Sequence, residues 1–144
     1  NFGYVSRMDN LQAAILNFRF SKLKKVIKIR RENASLYRQF IQSKKVFIPE
    51  NKFEEFNTFH TFVIQVPKRN ELRKYLKKNK VETSIHYPRP IHLQPAAKFL
   101  NYKRGDFPAT EKQSKRILTL PINQYIKIDQ IKYISKLINN FYEK

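Results

Sequence analysis

Cysteine is absent from the 144 residues. That excludes a disulfide framework and a thiolate metal site, and it agrees with a reducing, cytoplasmic location. No apolar run approaches the roughly 18 residues that a membrane-spanning helix needs, so no membrane partner is expected. Nor does the N-terminus show a basic segment followed by an apolar one, the pattern of a secretory leader. The chain opens Asn1-Phe2-Gly3 without an initiator methionine, and it reads as a piece of a longer protein. Acidic residues are few: 11 against 30 Lys and Arg, for a net charge of +19. Such a charge admits an anionic partner. The lysines are nevertheless spread along the whole chain instead of gathered in one tract, so they describe a solvated exterior and no nucleic-acid partner is expected.

What is present suits one α+β domain. Twelve Phe and eight Tyr supply much of the core, because aromatic side chains bury large areas. Residues 8–43 contain neither Pro nor Gly. Leu11, Ala14, Ile15 and Phe18 recur at helical spacing, and Leu23, Val26, Ile27, Ala34, Tyr37 and Ile41 resume it after a phase change near Ser21. The pattern predicts two consecutive helices, or one long helix bent at Phe20–Ser21, started by Asp9 or Ser6 as cap. Residues 61–66 and 81–87 are rich in strand formers and predict two strands, with a short helix over 69–79 between them. A third strand is expected at 46–48 or 117–120, since two strands alone are marginal.

Pro88, Pro90 and Pro95 stiffen the next stretch into a mostly extended segment. A helical turn at 96–100, a turn at Arg104-Gly105-Asp106 and a helix over 109–116 follow. Ile128, Ile131, Ile134, Ile138 and Phe141 form the buried stripe of a C-terminal helix.

Two groups of residues could carry chemistry. Arg7, just before a helix, can grip a phosphate oxygen with its forked guanidinium; the bland alternative is pairing with Asp9. His86, Tyr87, Arg89 and His92 stand in the proline frame, which limits the entropy lost on binding. Packing at a strand end is the alternative for His86 and Tyr87. His60 begins a strand and suits a structural role. A zinc site from His60, His86 and His92 lacks the usual close spacing and any flanking carboxylate, so no metal is expected. Glu111 falls in the first turn of a helix, where a carboxylate suits the helix dipole.

Three stretches carry a family resemblance. Gly3-Tyr4-Val5-Ser6-Arg7-Met8-Asp9-Asn10-Leu11-Gln12-Ala13-Ala14 is the first. Ile85-His86-Tyr87-Pro88-Arg89-Pro90-Ile91-His92-Leu93-Gln94-Pro95 is the second. Gly105-Asp106-Phe107-Pro108-Ala109-Thr110-Glu111, followed by Leu118-Thr119-Leu120-Pro121, is the third. In this order they resemble the DegT/DnrJ/EryC1/StrS sugar-nucleotide aminotransferases over nearly the whole chain.

The resemblance implies the small C-terminal domain of a fold-type-I pyridoxal 5'-phosphate (PLP) enzyme: a small, mostly antiparallel sheet packed with helices and preceded by a long or bent helix. Residues 1–45 then correspond to interdomain and dimer-interface helices, and 46–144 to the small domain. The family moves an amino group from an amino acid, usually glutamate, to a nucleoside-diphosphate keto-sugar, and works as a homodimer. Its imine-forming lysine precedes this region in a Gly-Gly context. Here the only glycines are Gly3 and Gly105, so no catalytic residue is assigned and the chain alone is expected to be inactive. By resemblance Ser6 and Arg7 contact the cofactor phosphate across the dimer, although Val5 stands where the family carries Asn. Tyr87, Arg89 and His92 border the sugar-nucleotide pocket. Two other readings compete: a nucleic-acid module using Lys22, Lys24, Lys25, Lys28, Arg30 and Arg31, which wrap around the helix, and a degenerate half-enzyme kept for dimerisation.

Overall fold

A computed structural model describes residues 8–143; the readings placed on Ser6 and Arg7 lie outside it. Two helices open the described chain, α1 (Asn10–Phe20) and α2 (Leu23–Phe40). Asp9 takes the N-cap of α1, and the Gln12 side chain accepts from its backbone N–H at 3.3 Å. The break falls where the hydrophobic phase changes. The Ser21 hydroxyl turns back to the Phe18 carbonyl at 2.8 Å, satisfying an acceptor that the ended helix leaves free.

The sheet has two strands, β1 (Phe62–Gln65) and β2 (Ile117–Leu120), paired antiparallel from Phe62↔Leu120 to Gln65↔Ile117. Single bridges extend it on both sides, Phe47 to Gln65 and Ser84 to Thr119. Residues 81–87 are therefore not the strand that their alternation suggests. The Val81 N–H closes the preceding helix by bonding the Leu76 carbonyl at 2.9 Å, and prolines begin at Pro88. Only Ser84 is left to reach β2. The same limit holds at 46–48, between the Val46 N–H bonded to Ser43 and Pro49. The expected third strand thus becomes β2 itself, in the middle of the arrangement.

Three further helices complete the domain: α3 (Arg69–Lys78), α4 (Pro108–Arg116) and α5 (Ile128–Glu143). Between α3 and α4 the chain makes 3-10 turns at Ile91–Leu93 and Pro95–Leu100, the first of them inside the segment expected to be extended. Because side chains alternate across a strand, Phe62, Ile64, Leu118 and Leu120 share one face. They are buried in a core with Tyr37 of α2, Leu72 and Leu76 of α3, and Ile131, Ile134 and Ile138 of α5. The other face carries Val63, Gln65 and Thr119. Helix α1 buries nothing: Leu11 is 72% exposed and Phe20 74%. Among the described residues no helix is long and apolar enough to cross a membrane.

Candidate functional site

The proline frame leaves the sheet at Ser84, and β2 positions its first side chains. His86 Nδ1 and Thr119 Oγ1 share a hydrogen bond of 3.0 Å, which pins the imidazole to the centre of the sheet's open face. The Tyr87 ring meets it edge-on, centroids 5.5 Å apart, while remaining 70% exposed. His86 also lines a cleft of about 890 Å³ together with His60, Lys80, Thr119, Asn123 and Tyr125. Hydroxyl, amide and imidazole groups therefore converge on one opening, as a polar, hydroxylated ligand requires. His60 is part of this wall, a position that its rank as the residue before a strand does not reveal.

The structure separates the other members of the cluster. His92 does not line this cleft and is tied to α4: its Nε2 lies 3.1 Å from Glu111 Oε1. The same oxygen accepts the Gly105 N–H at 2.7 Å. Phe107 packs on the His92 ring at 4.7 Å, and Tyr102 meets Phe107 edge-on at 5.0 Å. Gly105 has φ +102°, a conformation that a side chain disfavours, so the turn it makes is what aims its N–H at the carboxylate. Glu111 is thus more than a dipole partner at a helix start. It clamps the proline frame to the Gly105 turn across 19 positions of sequence, a spacing that no local pattern exposes.

The Gly105 N–H, and after it the His92 hydrogen bond, hold the Glu111 carboxyl below its usual 4.5 against an opposing effect of burial. A carboxyl lowered in the folded state contributes stability that is complete above the ordinary value and lost as pH falls through the folded one. Hydrogen exchange of the Gly105 amide, corrected at each pH for its intrinsic rate, should therefore stay slow at neutral pH and accelerate in acid. Glu111→Gln should speed it at neutral pH and flatten that acid response. An unchanged pH profile would remove the clamp from Glu111.

Arg89 lines a separate cavity of about 430 Å³ with Arg104, Glu111 and Lys115. Among the described residues no three His, Asp or Glu side chains gather to hold a metal. The helix cations have local duties: Arg31 donates to the Asn57 carbonyl at 2.8 Å and sits 4.7 Å from the Phe56 ring, Arg30 reaches Gln124 at 3.5 Å, and Lys22 lies 4.0 Å over Phe18.

Comparison with known proteins finds relatives over nearly the whole chain. The family described as DegT/DnrJ/EryC1/StrS aminotransferase matches residues 1–139. The chain is 37% identical over 143 residues to a pleiotropic regulatory protein of Geobacillus stearothermophilus, covering 97% of the chain and 38% of that protein. It is 30% identical over 139 residues to the dTDP-3-amino-3,6-dideoxy-alpha-D-galactopyranose transaminase of Aneurinibacillus thermoaerophilus, covering 96% and 38%. Among solved structures, S. venezuelae DesV, crystallised with a ketimine intermediate, superposes with a TM-score of 0.92 at 27% identity over 100% of this chain and 39% of its own. A Brucella abortus aminotransferase gives 0.87 at 28% identity, over 96% and 37%. The chain thus spans about two fifths of the length of the curated relatives it matches.

Proposed function

The chain belongs to the DegT/DnrJ/EryC1/StrS aminotransferase family, and from that premise we propose that it is the substrate-facing C-terminal lobe of a PLP enzyme that aminates a nucleoside-diphosphate keto-sugar. The observation carrying the proposal is the superposition on DesV over the whole chain. The polar cleft around His86 and the exposed Tyr87 support it. Glutamate is the proposed donor, amino-sugar biosynthesis the proposed setting, and a homodimer the proposed assembly.

The described residues do not fit the cofactor by themselves. An imine-forming lysine needs burial or a cationic neighbour to lower its proton affinity. Every lysine among the described residues is exposed. No chemical step is therefore assigned to this chain; its residues bind and orient. Tyr87 offers a phenol to a sugar hydroxyl, and Arg89 offers charge to a phosphate. In this reading α2 roots the lobe, since Ala34 and Tyr37 are built into its core, while α1 presents its uncovered apolar side chains to the preceding part of the protein or to the second subunit. Ser6 and Arg7 are the proposed contacts to the cofactor phosphate across the dimer.

The test is amination by the full-length protein. With glutamate and a panel of UDP- and dTDP-keto-sugars, mass spectrometry should show the keto oxygen replaced by an amine. Tyr87→Phe should lower kcat/KM by about two- to tenfold, the loss of one hydrogen bond to a neutral hydroxyl. The chain alone, mixed with PLP, should develop no imine absorbance. Amination of simple 2-oxo acids with no nucleotide sugar accepted would overturn the assignment.

A further inference from the structure

The cavity beside Arg89 carries charge that nothing in the lobe uses. Arg89, flanked by Pro88 and Pro90, lines its roughly 430 Å³ with Arg104, Glu111 and Lys115. Its cations come from three separate places: the proline frame, the Gly105 turn and the last turn of α4. Among the described residues, none of Arg89, Arg104 and Lys115 has an ion-pair or hydrogen-bond partner. Three cations share the wall with one carboxylate, so a net positive charge remains. Glu111 Oε1 is already committed to Gly105 and His92.

The wall is also stiff. Pro88 and Pro90 fix the backbone on either side of Arg89. The Glu111 clamp holds the Gly105 turn, and with it Arg104, against the proline frame. A cationic pocket assembled before its ligand arrives loses little order on binding.

We propose that this cavity binds a diphosphate-type oxyanion, gripped by the guanidinium forks of Arg89 and Arg104 and the ammonium of Lys115. Two planar forks and a point charge match an anion with oxygens on two phosphorus centres better than a single carboxylate. Two sources carry this chemistry. One is the diphosphate of the nucleotide sugar, an option that rests on the functional reading above and adds Arg104 and Lys115 to its substrate contacts. The other is free diphosphate acting as an effector.

Calorimetric titration of the full-length protein with inorganic diphosphate, and separately with UDP and dTDP, distinguishes them. Arg104→Ala and Lys115→Ala should each weaken diphosphate binding by about tenfold, as the loss of a charge-assisted hydrogen bond implies, and Arg104→Lys should recover part of it. Both side chains are exposed, so the variants should unfold like the parent. If the nucleotides compete with inorganic diphosphate and weaken in parallel, the occupant is the substrate's diphosphate. If both bind at once and only inorganic diphosphate weakens, the cavity is an effector site. Binding within twofold of the parent in both alanine variants overturns the site. An absence of aminotransfer with the binding losses intact would overturn the functional reading and leave the site standing.

Discussion

Tyr37→Ala is expected to destabilise the lobe by about 3–5 kcal/mol, the range for removing a large buried ring. Tyr37 is fully buried, stacked on Phe62 with centroids 5.0 Å apart and planes 19° from parallel. It joins α2 to both strands. Its hydroxyl donates to the Pro121 carbonyl at 2.8 Å, directly after β2, and Phe62 belongs to β1. Burial pushes the phenol's pKa far above its usual value of 10.0, so it remains a donor throughout the working range. Tyr37→Phe keeps the stack and strands the Pro121 carbonyl, which should cost about 1–3 kcal/mol. Hydrogen exchange of the β1 and β2 amides reads both values within the intact protein. A loss below about 1 kcal/mol for the alanine variant would contradict the packing.

Asn139 carries the second large effect. It lies on α5 but closes α2. Its Oδ1 accepts the backbone N–H groups of Gln42 and Ser43 at 3.0 and 3.2 Å, and its Nδ2 donates to the Phe40 carbonyl at 2.9 Å. A helix end leaves carbonyls unsatisfied; here a distant amide supplies the donor and also takes up the two N–H groups that follow. Asn139→Ala removes three hydrogen bonds from a half-buried site and should cost about 2–4 kcal/mol. Asn139→Asp keeps the acceptor and gives up the donor, so roughly half of that loss is expected. Protease nicking after residue 40 should rise in the same order. Equal losses for the two variants would mean that the Phe40 contact, not the pair of N–H groups, holds the junction.

Much of the architecture was legible in local pattern. The break between α1 and α2 lies where the apolar phase slips near Ser21, and Ile131, Ile134 and Ile138 form the buried side of α5, whereas Ile128, expected in the same stripe, sits in the first turn and stays 46% exposed. The sheet was harder to read. Residues 81–87 alternate like a strand yet contribute only Ser84, because Val81 finishes the preceding helix and Pro88 lacks a donor. Ile117–Leu120 is too short and too uniformly apolar to show alternation, yet it forms half of the sheet. Around the site, the proline frame announced His86, Tyr87 and Arg89, and its motif carried the family resemblance. What local reading missed is the long-range geometry. Thr119 holds His86 from 33 positions away, and Glu111 anchors His92 from 19. No local pattern joins Arg104 and Lys115 to Arg89; the Gly105 turn and α4 bring all three to one cavity.

The reliance of α2 on α5 has a consequence for biosynthesis. Tyr37 needs Pro121, and the end of α2 needs Asn139, nearly one hundred positions downstream. Until β2 and α5 have left the ribosome, α2 has neither its stacking partner's full sheet nor its terminal amide. A chain emerging N-terminus first thus cannot close this lobe gradually; closure waits until α5 has emerged. Until then the apolar side of α2 stays uncovered, and molecular chaperones have the longest access to it at that stage.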